Sequence, residues 1–232
     1  MAPGQASNFQ TVKTQPFPGT ISLISAQTRV KRHIGARANV FIDGKFSFAL
    51  GLDVIFKHGL KPGIVLNEEK LAELLREDGE AKAFTTAANF LGFRARSRDE
   101  IRKRLQRDEW SEEVIERVLV RLTELKLLDD AQFAADWVGA RERSKPRGSR
   151  LLQQELRQKG VPKEEIDAAL PDADAELENA IAALGKVARK LEGYEGREQM
   201  QKAVELLARR GFGFGTAKTA YLRWLETEDS ES

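Results

Sequence analysis

Reactive side chains are scarce in this sequence, which contains no cysteine and only two histidines, His33 and His58. Without thiols the chain can form neither a disulfide nor a thiolate nucleophile or metal site, and this composition is compatible with a reducing cytosol. Neither histidine stands at metal-ligand spacing with another ligand type, and we interpret both as surface or loop side chains. The many acidic residues are interpreted as solvated helix faces. The sequence therefore predicts no metal, no cofactor and no enzyme activity.

Long apolar runs and a sustained excess of one charge are also missing. No run approaches the roughly 20 residues that a membrane-spanning helix needs, and the start lacks the basic-then-apolar order of a secretory signal. We therefore predict a cytoplasmic protein.

The formal net charge of the chain is +2. The balance of charges changes along the chain, from 10 Lys/Arg against 7 Asp/Glu in residues 1–79 to 9 Lys/Arg against 12 Asp/Glu in residues 171–232. Any contact with nucleic acid must therefore rest on local clusters of cations.

The N-terminal third has the only strand-like patterns. Residues 1–19 are polar and small, which predicts a disordered leader. In residues 20–78, apolar β-like runs flank Asp43 and Gly44. Asp-Gly between two such runs favours a type I′ hairpin, because both central residues of that turn need positive φ. Helical patterns follow, one of them capped by Asn67. We predict a small N-terminal module of a β-hairpin and helices.

The rest of the chain is organised around a helical pattern that recurs every 51 residues. It starts in residues 97–128, where Ser97 and Glu100 form the sequence signature of a capping box. Three sets of apolar positions keep the register: Leu105, Leu156 and Leu207; Trp110, Val161 and Phe212; and Ile115, Ile166 and Ala217. A repeat at this period is typical of stacked supersecondary units, which bury a continuous core only together.

We accordingly predict a mainly α fold of three three-helix repeats, 80–128, 129–171 and 172–228, in an elongated curved array. The first helix of repeat one is expected to end at Gly92, separately from the helix that Asn67 caps. Ser111 is expected to cap another helix, and an Asp of the pair Asp129-Asp130 the first helix of repeat two. No apolar stripe is left over that would require a dimer, so we predict a monomer.

A glycine-rich segment, Gly211-Phe-Gly-Phe-Gly-Thr-Ala-Lys-Thr219, faintly resembles a phosphate-binding loop. Its Lys follows Ala rather than Gly, and the loop follows a predicted helix rather than a strand. The register also places Gly211 at the position of Gly160, where a helix ends and a left-handed residue is favoured. We interpret the segment as a turn, after which Thr216 caps the last helix.

Basic residues cluster at the junctions between repeats, with arginine favoured over lysine in the first two. The candidate partner-binding or nucleic-acid-binding residues are Arg94, Arg96, Arg98, Arg102, Arg104, Arg141, Arg143, Lys145, Arg147, Arg150, Arg157 and Lys159. Arginine binds carboxylate or phosphate through two parallel hydrogen bonds. These residues form either a positive stripe across the stacked repeats or ordinary solvated faces with i,i+4 ion pairs. The partner of a stripe could be a phosphate backbone or an acidic protein surface.

An ordered series of motifs gives the chain a family resemblance over about residues 80–225. The motifs are Arg96-Ser-Arg-Asp-Glu-Ile-Arg-Lys-Arg-Leu105; Val114-Ile with Leu122; Leu125-Lys-Leu-Leu-Asp-Asp130; Phe133-Ala-Ala-Asp-Trp137 with Arg141; Gly148 and Leu156; and Lys159-Gly-Val-Pro with Ile166 and Ala169-Leu170. This series resembles the bacterial RecX family. The resemblance implies tandem three-helix repeats and a non-enzymatic modulator of the RecA recombinase. Such a protein lies in the groove of the RecA filament on single-stranded DNA, inhibits its ATPase and strand exchange, and limits filament growth.

Two departures from the family pattern stand out. Glu109-Trp110 replaces the Lys-Gly-like turn of the second repeat, and the segment from Gly211 is glycine-rich where the family usually begins a firm helix. The last helix is therefore expected to begin late. Two other function classes remain as alternatives: a stand-alone helical regulator that binds DNA through its basic loops, and an enzyme.

Overall fold

The computed structural model describes residues 15–27 and 35–231, with side chains described as far as residue 227. Residues 1–14 of the predicted leader, and His33, lie outside the described part. The strands are β1 (Gly19–Ala26), β2 (Arg37–Ile42), β3 (Lys45–Gly51) and β4 (Val65–Leu66). The helices are α1 (Leu52–Lys57), α2 (Glu68–Leu91), α3 (Arg98–Arg107), α4 (Glu112–Glu124), α5 (Asp130–Ser144), α6 (Ser149–Gln158), α7 (Lys163–Ala169), α8 (Ala173–Gly185), α9 (Gly196–Arg209) and α10 (Phe214–Glu231), with a 3₁₀ turn at Ala188–Lys190. The prediction of a mainly helical chain with a small N-terminal sheet is confirmed.

The N-terminal module is a four-stranded antiparallel sheet in the order β3-β2-β1-β4. Asp43 and Gly44 connect β2 to β3 with φ values of 48° and 81°, so the predicted hairpin is confirmed. One face of the sheet is buried under the following helices. The core residues there include Ile21, Val40, Ile42, Leu50, Leu66, Leu71 and Leu74. The chain divides into two compact units, residues 1–90 with 109–118 and residues 91–108 with 119–232.

Helix α2 is one continuous helix of 24 residues, so the expectation of two separate helices was wrong. Asn67 caps it as predicted, accepting a 2.8 Å hydrogen bond from the Lys70 amide. The predicted boundary between residues 78 and 80 lies inside this helix. Gly79 lies inside this helix, next to the buried Asp78. Its buried carboxylate pairs with Arg37 at 2.9 Å and accepts the Gly51 amide at 2.7 Å, which ties the helix to the sheet.

The middle and last helices of the repeats keep the 51-residue register. Helices α3, α6 and α9 end at residues 107, 158 and 209, and helices α4, α7 and α10 begin at residues 112, 163 and 214. The last helix therefore begins at Phe214, and the predicted cap at Thr216 was wrong. The Ala217 amide donates a 2.8 Å hydrogen bond to the Gly213 carbonyl, so the helix starts three residues earlier than a cap at Thr216 would place it.

The turn after each middle helix has one residue in the left-handed region. Glu109, Gly160 and Gly211 have φ values of 60°, 71° and 90°. After the two glycines, the Val161 and Phe212 amides donate to carbonyls five residues back, at 3.1 and 3.2 Å. This is the expected end of a helix at a glycine. The interpretation of Gly211 as a turn residue is confirmed.

Repeats two and three have separate cores of the predicted residues. The second core contains Phe133, Ala134, Val138, Leu152, Leu156, Val161 and Ile166. The third contains Ala180, Ala183, Leu184, Leu191, Ala203, Leu207, Phe212, Ala217, Ala220, Tyr221 and Trp224. In the first repeat Ile101, Leu105, Ile115 and Leu122 are fully buried. The apolar register found in the sequence is thus the buried face of the helices.

Candidate interaction surface

The start of α3 lies among the predicted basic residues and is held by hydrogen bonds within the helix and to the second repeat. The Ser97 hydroxyl accepts a 3.2 Å hydrogen bond from the Glu100 amide, and the Glu100 carboxylate accepts one from the Ser97 amide, so the predicted capping box is confirmed. The same hydroxyl donates to the Lys159 carbonyl at 2.5 Å. The Arg98 amide donates to Asp130 at 2.8 Å. The first turn of α3 is therefore bonded to the second repeat at two points.

The Glu100 carboxylate forms ion pairs with three of the predicted cations. Its carboxylate lies 2.8 Å from the Arg94 guanidinium, 3.0 Å from Lys159 Nζ and 4.0 Å from Arg96. Burial opposes its ionisation, but the hydrogen bonds from Arg94, Lys159 and the Ser97 amide outweigh burial and lower the pKa of Glu100 to about 2. Glu100 is therefore ionised at neutral pH, and part of the positive charge of this cluster is compensated internally.

In repeat two, Glu155 likewise forms ion pairs with predicted basic residues. It accepts hydrogen bonds from Trp137 Nε1 at 2.8 Å and from Arg141 Nε at 3.0 Å, and it forms an ion pair with Arg147. The Arg141 guanidinium also lies 4.4 Å from the centre of the Trp137 ring, a favourable cation–π distance. Arg141 and Arg147 are thus part of the packing of the second repeat.

Hydrogen bonds to residues of the third repeat hold the loop between α5 and α6 in place. The Gly148 amide donates to the Arg210 carbonyl at 2.9 Å. Lys186 Nζ donates to the carbonyls of Arg143 and Ser144 at 3.2 and 2.9 Å. Because these bonds hold the backbone, the exposed side chains of the loop project from a defined position.

The twelve predicted residues consequently fall into two groups. Eight have partners within the chain: Arg94, Arg96, Arg98, Arg102, Arg104, Arg141, Arg147 and Lys159. Four are exposed and have no ion pair within the described part of the chain: Arg143, Lys145, Arg150 and Arg157. Those four are the cations best placed to meet an external anion. Their role in binding stays a prediction.

Two exposed phenylalanines were missed by the sequence analysis. Phe93 is 81% exposed in the loop before Arg94, and Phe214 is 70% exposed at the start of α10. Neither belongs to a periodic apolar stripe. Their positions in the sequence could have indicated that they are exposed. Phe93 directly follows the glycine after a helix, and Phe214 stands where the first two repeats have the charged residues Glu112 and Lys163.

A cleft with a volume of about 600 Å³ lies between the first and second repeats. Arg98, Leu128, Asp130, Pro162 and Glu165 are among its lining residues. Burial raises the pKa of Asp130, and its bond to the Arg98 amide offsets this only in part. In the described residues no group of three or more His, Asp or Glu could hold a metal ion. No helix in the same part of the chain is long and apolar enough to cross a membrane.

Comparison with known families gives four consecutive matches along the chain. Residues 19–67 match the N-terminal domain of regulatory protein RecX, and residues 83–122, 129–170 and 174–220 match its first, second and third three-helix domains. The first match covers the sheet, and the other three cover, in whole or in part, α2 to α4, α5 to α7 and α8 to α10.

Relatives and solved structures agree with these matches. Regulatory protein RecX of Bacillus subtilis is 33% identical over 84% of this chain and 75% of its own length. That of Leuconostoc mesenteroides is 30% identical over 91% of this chain and 78% of its own length. A crystal structure of regulatory protein RecX superposes with a TM-score of 0.69 at 28% identity, covering 88% of this chain and 99% of that one. RecX from Lactobacillus salivarius, at 22% identity and a TM-score of 0.59 over 64% of this chain and 97% of that one, shares the fold.

Proposed function

The chain belongs to the RecX family of regulatory proteins, and we propose that it regulates the RecA recombinase without catalysing a reaction itself. In this proposal it binds the RecA filament on single-stranded DNA in the cytoplasm, as a monomer, and inhibits the ATPase, strand exchange and growth of the filament. The observation that carries the proposal is the unbroken order of the four RecX domains along the chain.

The bonding between repeats supports a role as a binding scaffold. The Ser97 hydroxyl and the Gly148 amide occupy equivalent positions at the starts of α3 and α6. They donate to equivalent carbonyls, those of Lys159 and Arg210, in the repeat that follows. Repeats joined in this way present their surfaces at fixed spacing. A regular protein filament offers equivalent sites at fixed spacing, and simultaneous contacts to such sites increase avidity.

The distribution of cations favours the filament over DNA alone. Only Arg143, Lys145, Arg150 and Arg157 of the predicted residues are exposed without an internal ion pair in the described chain. Four phosphate contacts correspond to a slope of about −3 in log K against log salt for single strands, which is modest for a dedicated DNA-binding protein. We propose that these cations supplement protein contacts with the filament.

The experiment that separates the two functions is a comparison of binding to RecA-coated and bare single-stranded DNA. We expect anisotropy titrations with labelled oligonucleotide to show tight binding to the filament and weak, strongly salt-dependent binding to bare DNA. Equal affinity for both, with the same salt slope, would instead favour the stand-alone DNA-binding regulator.

A further inference from the structure

The third repeat has a groove between α9 and α10 with a volume of about 270 Å³. Its lining residues are Arg197, Met200, Gln201, Val204, Phe214 and Lys218. They lie on one face of each helix, because Arg197, Met200 and Val204 are spaced three and four residues apart, and Phe214 and Lys218 four. Phe214 is 70% exposed, so the groove has an open apolar wall.

The other two repeats provide an internal control for this groove. Met200, Val204 and Phe214 correspond in the 51-residue register to Ser149, Gln153 and Lys163 of repeat two, and to Arg98, Arg102 and Glu112 of repeat one. Both earlier repeats build the same pair of helices with polar side chains at all three positions. Met200 and Val204 are half-buried and pack against the third core, so they contribute to folding. Phe214 is 70% exposed beside them, at a position where the other repeats have Lys163 and Glu112, and the exposed apolar surface that results is typical of a binding site.

The charges around the groove indicate the chemistry of its partner. Arg197 and Lys218 are exposed, and neither has an ion pair within the described chain. A phosphate backbone binds through many diffuse contacts, whereas only two cations line this groove. Two separate cations beside an apolar wall suit discrete carboxylates that flank an apolar side chain.

We propose that this groove binds a carboxylate-rich segment of a partner protein. The segment places one apolar side chain against Phe214 and Val204, and its carboxylates pair with Arg197 and Lys218. The surface is distinct from the basic residues of the first two repeats. The inference does not depend on the proposed filament function, because it concerns a different surface and is tested without RecA.

The test uses the full chain and a fluorescein-labelled synthetic peptide of Asp and Glu residues with one central Leu. Anisotropy should show saturable binding that weakens with salt. A matched peptide with Ser in place of Leu should bind at least about tenfold more weakly, since apolar anchors in desolvated pockets dominate such interfaces. Absence of saturable binding of the Leu peptide at low salt overturns the proposal.

Matched variants localise the binding. Phe214→Gln and Val204→Gln should each weaken binding of the Leu peptide about tenfold, whereas Phe56→Gln, which removes an equally exposed phenylalanine on α1, should not. Lys218→Glu should weaken binding by a similar factor, and Arg223→Glu on the same helix should leave it unchanged. Circular dichroism and a thermal midpoint establish that each variant is folded. Because Lys163 and Glu112 stand at the position of Phe214 in the other repeats, Phe214→Gln is expected to fold. Val204 packs partly against the third core, so Phe214→Gln and Lys218→Glu test the groove if Val204→Gln loses its fold.

Three results would overturn the assignment. The Leu peptide could bind the Phe214→Gln and Lys218→Glu variants as tightly as the unchanged protein. Single-stranded oligothymidine could bind the unchanged protein with a loss specific to these variants, which would make the groove a nucleic-acid site. Sedimentation could reveal a dimer that Phe214→Gln dissociates, which would make the groove an interface between two copies.

Discussion

The Ser97 hydroxyl donates a 2.5 Å hydrogen bond to the carbonyl oxygen of Lys159, joining the start of α3 to the end of α6. The Gly148 amide and the Arg210 carbonyl repeat this relationship 51 residues later, at 2.9 Å. In both places the helix start of one repeat meets the turn that ends the middle helix of the next. Equivalent contacts thus join repeat one to repeat two and repeat two to repeat three.

The close approach at the second junction predicts a large effect of one methyl group. A β-carbon at Gly148 would lie 2.4 Å from the backbone of Gly211 and Phe212. Gly148→Ala should therefore lower the free energy of unfolding by about 1–3 kcal/mol, because the backbones must separate. The control is Gly185→Ala in α8, where a β-carbon meets nothing within 4 Å. It should raise stability by about 0.5–1 kcal/mol. Chemical denaturation measures both, and equal effects would contradict the junction.

The left-handed residue of the first repeat predicts a stabilising substitution. Glu109 has a φ of 60°, whereas its equivalents are glycines. Glu109→Gly should increase the free energy of unfolding by about 0.5–1 kcal/mol, because the strain of a side chain at positive φ is removed. Glu109→Ala, which removes the charge but keeps the β-carbon, should give no such gain in the same denaturation experiment. A comparable gain from Ala would assign the effect to charge.

The Glu100 network predicts a specific acid sensitivity. The pKa of Glu100 is lowered from 4.5 to about 2, so its ionised form contributes stability that is present above pH 4.5 and is lost as the pH falls towards 2. Glu100→Gln should cost about 1–3 kcal/mol at pH 7, since Arg94 and Lys159 lose a charged partner.

The difference between the unchanged protein and Glu100→Gln should shrink as the pH falls from 4.5 to 2. Urea denaturation at a series of pH values measures this difference. The matched variant is Glu113→Gln, which removes an exposed partner of Arg117 and should change stability by less than about 0.5 kcal/mol. A difference for Glu100→Gln that stays constant down to pH 2 would contradict the lowered pKa.

The exposed cations predict a defined loss of filament binding. We expect the triple variant Arg143→Glu, Lys145→Glu, Arg150→Glu to weaken binding at least tenfold and to reduce the salt slope by about 2, since each lost phosphate contact removes about 0.7. Arg147 is left unchanged because it pairs with Glu155. Helicity should be unaltered.

A triple variant with the same change in charge at exposed positions outside this loop provides the control: Lys45→Glu, Lys61→Glu and Arg223→Glu. Its filament affinity should stay within about twofold of the unchanged protein, because screening by salt leaves the net charge of the chain a weak influence on binding. Equal losses in both triple variants would mean that net charge, rather than the loop, determines binding.

Features determined by neighbouring residues were predictable from the sequence. The Asp43-Gly44 hairpin, the capping box of Ser97 and the turn at Gly211 each depend on a few consecutive residues, and the structure confirms all three. The register was also predictable, because each repeat buries the same helix face.

Features that depend on distant residues were not predictable. Whether Lys159 is free or paired is decided by Glu100, 59 residues earlier in the chain. Helix α2 continues through Gly79, and Asp78 beside this glycine is paired with Arg37 on β2, 41 residues away. The start of α10 was misplaced because Thr216 offered a plausible cap, whereas the carbonyl of Gly213 accepts the first bond of the helix, from the Ala217 amide. Because partners such as Glu100 are distant in sequence, the sequence analysis treated as free several cations that are paired in the structure.

The most direct test of the proposed function is the rate of ATP hydrolysis by RecA on single-stranded DNA as this protein is added. The account predicts that fewer molecules than RecA protomers inhibit the rate, and that the loop variant at Arg143, Lys145 and Arg150 requires at least about tenfold more protein. An ATPase rate that stays unchanged at saturating concentrations of the folded chain would contradict the account.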